Sequence, residues 1–240
     1  MSKEQRCLQY LDALGIRVWK LRKPPAVDRG ETDPVAPVST ESESMPLDRD
    51  GTIARMDWTQ LEETVVQCQA CTLGETRTQT VFGTGSPRAT LMVVGEAPGA
   101  EEDLKGEPFV GRAGQLLDQM LRAMGLDRQQ VYIANVIKCR PPNNRNPHVQ
   151  EIDACLPFLA RQIELIQPEL LLVLGGVAAH TMLETTEAVG RLRGRWHRWG
   201  PQGIPLLVTY HPAYLLRSPV QKGRAWEDLQ RVVKELRTLG

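Results

Sequence analysis

The chain has 240 residues, of which 41% are hydrophobic and 24% are charged, as is ordinary for a globular protein. No apolar run reaches the roughly 18 residues of a membrane-spanning helix, and the N-terminus lacks a signal-peptide pattern, so we expect a cytoplasmic monomer. The net charge is zero, yet residues 191–240 hold ten Lys/Arg against three Asp/Glu, and residues 28–63 hold three against ten. A basic end of this kind suits contact with phosphates.

The first 51 residues differ in composition from the rest of the chain. Within residues 1–23, the apolar positions change from helical spacing to alternation at Gly15, which predicts a short N-terminal peptide element. Residues 24–51 are rich in Pro, Ser, Asp and Glu, which predicts a disordered linker. The main domain is therefore expected over residues 52–240.

Strands and helices alternate along this domain. The apolar periodicity predicts helices over 56–69, 114–124, 147–166 and 219–239, and strands over 89–95, 131–137, 170–174 and 206–209. This alternation predicts a three-layer α/β/α fold with a central, mainly parallel sheet. In such sheets the ligand crevice lies beyond the carboxyl ends of the strands.

Chemically distinctive residues follow several of these predicted strands. The sequence GEAPG begins at Gly95, Asn135 interrupts an apolar strand, His211 follows the last strand, and Phe109 lies in a Gly-rich loop. Taken singly, each feature has an ordinary structural explanation: a tight turn, an Asn bonded to backbone, a structural His and a core Phe.

The cysteines form a separate signal. Five cysteines without an export signal do not indicate disulfides. Cys68-x-x-Cys71 together with Cys139 and Cys155 would suit either a tetrahedral zinc ion or an iron–sulfur cluster, and their spacing does not decide between them. Cys7 has no neighbouring partner and is treated as incidental.

The order and spacing of these motifs carry a resemblance over 58–239, some three-quarters of the chain. The motifs are Cys68-x-x-Cys71, GEAPG at 95–99, GEPFVGRAGQLL at 106–117, NVIKCRPPNNRNP at 135–147, Cys155 and HPAYLL at 211–216. Together they resemble the family 4 uracil-DNA glycosylases. The resemblance implies a uracil-glycosylase fold and, rather than zinc, a 4Fe–4S cluster held by Cys68, Cys71, Cys139 and Cys155.

The resemblance also implies an activity, the removal of uracil from DNA to begin base excision repair, and places His211 as a hydrogen-bond donor to uracil O2. An enzyme acting on a base must flip it into a pocket, where Phe109 would stack on uracil and Asn135 would read its edge. Glu96, the only carboxylate within the GEAPG turn, would position water or stabilise the sugar cation. The sequence departs here from the better-known uracil glycosylases, because Ala97 stands in place of their usual acid. The predicted catalytic residues are Glu96 and His211, and the predicted uracil-binding residues are Gly95, Glu96, Ala97, Phe109, Asn135 and His211.

Further residues are expected to contact DNA. Arginines suit phosphates, and apolar side chains can wedge between bases, although the latter could equally pack inward at a helix start. The predicted DNA-binding residues are Arg140, Arg145, Tyr214, Leu215 and Arg217.

A related class of enzymes forms a covalent link to DNA through a His in a KRRIH-like insertion. That insertion is absent from this sequence, so we predict ordinary turnover, although His148 follows the corresponding stretch. The cluster is expected to be structural, with redox sensing as an open alternative.

Two non-enzymatic functions are the alternatives to a glycosylase. A DNA-binding module with a cluster or zinc ion gives no reason for Glu96, Phe109, Asn135 and His211 to occur together. A non-catalytic replication accessory protein is suggested by residues 8–24, which resemble the N-terminal peptide of the clamp-loader psi subunit, the ligand of the chi subunit. We therefore predict that residues 1–25 bind a replisome accessory subunit, with Trp19 as the main anchor; the alternative is a helix packed on the catalytic domain.

Overall fold

The structure of the protein is a computed structural model, which describes residues 49–239. The predicted N-terminal peptide and residues 24–48 of the predicted linker lie outside these described residues. Helix α1 (Arg49–Ile53) begins within the last three positions assigned to the linker. The Arg49 guanidinium donates a hydrogen bond of 2.8 Å to the Ala154 carbonyl and lies over the Phe158 ring. The folded domain therefore includes residues before the predicted boundary at 52.

The centre of the described domain is a six-stranded sheet with the order β1-β3-β2-β4-β6-β5. Strands β2, β3, β4 and β6 pair in parallel, whereas β1 and β5 pair antiparallel at the two edges. The strands are β1 (Thr84–Gly85), β2 (Leu91–Gly95), β3 (Tyr132–Asn135), β4 (Leu170–Leu174), β5 (Trp196–Trp199) and β6 (Ile204–Thr209). The predicted three-layer fold with a mainly parallel sheet is confirmed.

Helices cover both faces of this sheet, because alternate side chains of each central strand point to opposite sides. Met92 and Val94 of β2 join one apolar core, and Leu91 and Val93 join the other. The first core is closed by α1, α2 (Trp58–Gln67), α3 (Leu73–Thr76), α6 (Val149–Ile166), α7 (Gly176–Leu183) and α8 (Val189–Leu192). The second is closed by α5 (Arg112–Ala123), α9 (Pro212–Arg217) and α10 (Lys222–Leu239).

The remaining elements are short connections. Helix α4 (Ala100–Lys105) follows β2, and single 3₁₀ turns occupy Pro142–Asn144 and Pro219–Gln221. Among the described helices, none is both long enough and apolar enough to cross a membrane.

The predicted long helices and central strands are confirmed, with ends displaced by a few residues. The two edge strands were missed for a physical reason. Strand β5 has the sequence WHRW and is only partly buried, so it lacks the continuous apolar run that marks the central strands. Strand β1 has two residues and no apolar pattern at all.

The strand order fixes where a ligand can bind. The chain passes from β2 to β3 on one side of β2, and then crosses over to β4 on the other side. Loops leaving neighbouring strands diverge at such a reversal and open a crevice at the carboxyl ends. GEAPG, Asn135, Gly175 and His211 all follow or end strands at this edge.

Candidate active site

A cleft of about 780 Å³ opens across the carboxyl ends of β2, β3, β4 and β6. It brings together four residues predicted from the sequence, namely Glu96, Phe109, Asn135 and His211. Its wall also includes Ala97, Pro98, Gly99, Glu102, Ala113, Gly175, Gly176, Tyr210 and Tyr214. The predicted residues therefore share one concave surface.

Asn135, the last residue of β3, lies at the floor of this cleft and is 1% exposed. Neither its Oδ1 nor its Nδ2 finds a hydrogen-bond partner among the described residues. Leaving one such buried group unpaired costs about 1–3 kcal/mol, so the amide is arranged at the expense of stability. Gly95, its neighbour on β2, makes room for it, since a Cβ there would lie 2.4 Å from Oδ1.

The Phe109 ring forms a wall of the same cleft. Its centroid lies 5.5 Å from that of His211, and a Cβ on Gly95 would lie 2.6 Å from Phe109 Cζ. The Phe109 backbone has φ of 54°, a left-handed conformation that is unfavourable for a bulky residue. Strain of this kind persists only where the surroundings impose it.

Two sets of contacts impose the Phe109 conformation. The Arg128 guanidinium donates to the Phe109 carbonyl at 3.0 Å and to the Pro108 carbonyl at 2.5 Å, and pairs with Asp118. Gly114 lets α5 approach, because a Cβ there would lie 1.7 Å from the Phe109 oxygen. Sequence reasoning missed Arg128, which lies outside every motif.

Glu102 connects the two loops that flank the cleft. Its carboxylate accepts hydrogen bonds from the backbone N–H groups of Gly99, Val110 and Gly111, at 3.0 to 3.1 Å. The turn after β2 is thereby tied to the loop that carries Phe109. The sequence offered one signal for this role, a Glu three residues after a glycine at a helix start, which is typical of N-terminal capping.

His211 lies at the opposite wall, where its Cβ packs against the backbone of Gly175. Its Nδ1 accepts a hydrogen bond of 3.1 Å from the Ala213 N–H, so in the neutral ring the proton resides on Nε2. Burial lowers the pKa of His211 to about 4, with Arg217 acting in the same direction and Glu102 opposing. The ring is therefore a neutral hydrogen-bond donor near pH 7.

Glu96 follows β2 directly and lines the cleft beside Ala97. Burial raises the pKa of the Glu96 carboxyl above its usual value of 4.5. Ala97 contributes only a methyl group, so Glu96 supplies the carboxylate of this turn.

The predicted DNA-contacting residues fall into different environments. Arg217 is exposed at the mouth of the cleft, and Tyr214 lies on its wall with its ring 5.2 Å from that of Tyr210. Arg145 also lines the cleft, but both its amino groups bind the Glu151 carboxylate, at 2.7 and 2.8 Å. Arg140 lies outside the lining and donates to the Asn144 side chain at 2.8 Å.

The expectation for Leu215 is corrected by the structure. Its side chain is 1% exposed and packs in the core beneath α9 and α10, because the helix start turns it inward. The neighbouring Leu216 is 37% exposed. His148 precedes α6 as an exposed residue and does not belong to the described cleft lining.

The four predicted cysteine ligands surround a second, much smaller cavity. Cys68 and Cys71 lie between α2 and α3, Cys139 follows β3, and Cys155 lies in α6; all four are unpaired thiols. Burial raises the pKa of Cys155 to about 12 and raises that of Cys139 as well. Taking protons from these thiols therefore requires positive charge nearby.

Nitrogen donors already point at the sulfur atoms of this cavity. The Arg77 guanidinium lies 3.2 Å from Cys139 Sγ, and the Lys138 backbone N–H lies 3.2 Å from Cys155 Sγ. Across residues 49–239, no set of three or more His, Cys, Asp or Glu side chains is arranged to hold a single metal ion. The four thiols nevertheless line one common cavity.

Comparison with known proteins identifies the family to which this chain is similar. Residues 82–230 match the family model of the uracil DNA glycosylase superfamily. The chain is 42% identical over 180 residues to a type-4 uracil-DNA glycosylase of Pyrobaculum aerophilum, covering 72% of this chain and 92% of that protein. It is 43% identical over 178 residues to the type-4 enzyme of Thermotoga maritima, covering 73% and 88%.

A more distant relative is a type-5 uracil-DNA glycosylase of Thermus thermophilus, 28% identical over 167 residues, covering 62% of this chain and 74% of that protein. The stronger matches favour an enzyme over a non-catalytic module. The chain belongs to the uracil-DNA glycosylase superfamily and, within it, is a DNA-repair enzyme of the type-4 uracil-DNA glycosylases.

Proposed function

We propose that this glycosylase recognises uracil through hydrogen bonds with the Asn135 carboxamide and stacks the base on Phe109. His211 would donate a hydrogen bond to the base as it leaves. The observation that carries the proposal is the unpartnered amide of Asn135, buried beside Phe109 at the floor of the cleft. A polar group left unsatisfied at such a cost is expected to gain its hydrogen bonds from a ligand.

The amide pattern explains why uracil is preferred to cytosine. Asn135 Nδ2 would donate to uracil O4, and Oδ1 would accept from uracil N3–H. Cytosine has an amino group and an unprotonated N3 at these positions, so both contacts would be mispaired. A site built to hydrogen-bond its substrate rejects an analogue that leaves buried groups unpaired by large factors.

Cleavage of the glycosidic bond leaves negative charge on the departing base and positive charge on the sugar. The Nε2–H of neutral His211 would donate to uracil O2, where the negative charge develops, and a preorganised donor acts most strongly in that transition state. Glu96 would orient the attacking water or stabilise the sugar cation, because its carboxylate lies at the end of β2 in the same cleft.

Cys68, Cys71, Cys139 and Cys155 would hold a 4Fe–4S cluster. Their shared cavity and the N–H donors at two sulfur atoms support this assignment. When bound, the cluster supplies iron–thiolate bonds that cross-link the ends of α2 and β3 to α6. The free thiols also fit a reducing, cytoplasmic environment.

The DNA strand would be held at the mouth of the cleft by Arg217, Tyr214 and Arg145, with Arg140 nearby. Glu151 must share Arg145 with any phosphate, so Arg217 is expected to contribute more to binding. The predicted contact of residues 1–25 with a replisome accessory subunit rests on sequence alone.

The test of the proposed function compares two asparagines of the cleft. Asn135→Ala is expected to reduce excision of uracil from an oligonucleotide by about a hundredfold or more while retaining or raising the melting temperature. Asn146→Ala is the matched control, since Asn146 is an exposed residue on the cleft wall, and it should act at nearly the parental rate. Parental excision by Asn135→Ala would refute the assigned role.

A further inference from the structure

Lys138 is a buried cation between the two sites. Its side chain is 1% exposed, and it is among the largest fully buried side chains of the described core. The Nζ donates to the Asn135 carbonyl at 2.9 Å and to Gln162 Oε1 at 2.6 Å. Gln162 is held in turn by hydrogen bonds from its Nε2 to the Phe82 carbonyl and the Tyr132 hydroxyl.

A lysine in such a position needs a compensating negative charge. Burial of an ammonium group costs several kcal/mol unless it is paired, and its two hydrogen-bonding partners here are neutral. Cys139 follows Lys138 directly in the chain, and Cys155 Sγ lies 3.2 Å from the Lys138 backbone nitrogen, so the cysteine site is the neighbouring place where negative charge can be supplied.

A cluster bound at the cysteine site would in turn need a nearby positive charge. Four thiolates carry more negative charge than an iron–sulfide core cancels, so a bound cluster leaves net negative charge in a largely buried cavity. Lys138 and Arg77 are both among the residues that line this cavity. Arg77 is only partly buried, whereas Lys138 offers its charge from within the core.

We propose that Lys138 is the internal counter-charge of the cluster and a positioning residue for the uracil-reading strand end, an inference that rests on the proposed 4Fe–4S site. Its backbone N–H contacts Cys155 Sγ, and its side chain contacts the carbonyl of Asn135. One residue thus connects the cysteine site to the backbone that carries the proposed uracil-reading amide.

Two consequences follow from this arrangement. A positive charge beside the cluster favours the added electron, so removing the charge makes the reduction potential more negative. The Asn135 carbonyl also loses its ammonium partner, and the strand end that presents the amide becomes less well fixed. Free uracil should then bind more weakly, independently of any chemistry.

The experiment uses full-length protein purified anaerobically with its cluster. Lys138→Met removes the charge at similar volume, Lys138→Arg keeps a charge, and Lys234→Met removes an exposed lysine of α10 as the matched control. The readouts are iron and sulfide per chain, the midpoint potential of the cluster and the inhibition constant of free uracil. The rate of uracil excision is not used as a readout in this experiment.

We expect Lys138→Met to lower cluster content or shift the potential negatively, and to weaken uracil inhibition about tenfold, while Lys138→Arg keeps most of the cluster and Lys234→Met resembles the parent. Equal cluster loss in Lys138→Arg and Lys138→Met would overturn the charge argument, because the shape of the side chain, and not its charge, would then determine cluster binding. Parental values of all three readouts in Lys138→Met would overturn the whole inference. A parental protein without iron would instead refute the cluster itself.

Discussion

The uracil cleft and the cysteine site lie at the two ends of one short segment, from Asn135 to Cys139, yet they are constructed in opposite ways. The cleft is wide and leaves a buried amide without partners. The cysteine site is small, and backbone and arginine N–H groups already contact its sulfur atoms. The first arrangement suits a ligand that comes and goes, and the second suits the proposed cluster as a permanent structural cross-link.

The largest effect is expected from a substitution in the cysteine site. Cys139→Ser should lose the cluster and destabilise the fold by about 4 kcal/mol or more, the range typical of losing a metal site. Iron analysis and thermal unfolding measure both effects. Cys7→Ser is the matched control and should retain parental iron and melting temperature. Unchanged iron and stability in Cys139→Ser would exclude Cys139 as a ligand.

The opposite pattern is expected in the cleft. His211→Ala should lower kcat by about a hundredfold to a thousandfold, corresponding to roughly 2.7–4 kcal/mol for one transition-state donor, with little loss of stability. Single-turnover excision and a melting curve separate these effects. His148→Ala should excise uracil at nearly the parental rate, because His148 lies outside the described cleft lining. A large defect in His148→Ala would reopen the covalent alternative.

The pH dependence distinguishes the two proposed catalytic groups of the cleft. His211 has a pKa of about 4, so it stays neutral between pH 6 and 7 and should produce no inflection there. The pKa of Glu96 is raised above 4.5, so its carboxylate is lost as the pH falls through that higher value, and kcat/KM should fall with it. Glu96→Gln should be slower and lack this acid limb. A parental inflection near 6.5 that disappears in His211→Gln would contradict the neutral-imidazole role.

Sequence reasoning recovered the residues that carry distinctive chemistry at strand ends. Glu96, Asn135 and His211 could be found because polar groups are conspicuous beside apolar strands. Arg128 and Glu102 were not assigned, since their role is to hold backbone groups of the Phe109 loop, and such contacts depend on the folded path of the chain. Leu215 was assigned wrongly because an apolar residue at a helix start gives no indication of which side faces the core.

The smallest effect on excision is expected from deleting residues 1–25. Both sites are lined by residues between 65 and 217, and the matched relatives cover about 70% of the chain. The deletion should therefore leave iron content, melting temperature and kcat/KM within about twofold of the parent.

The same deletion should abolish binding to the clamp-loader chi subunit, measured by calorimetry with full-length protein. A Trp19→Ala variant of the intact chain tests the proposed anchor, because large aromatic residues dominate the energy of small interfaces. A flexible connection would raise the local concentration of the enzyme near the replisome without touching either site. Loss of excision on deletion would show that the segment supports the catalytic domain instead, and unchanged chi binding would place the contact elsewhere in the chain.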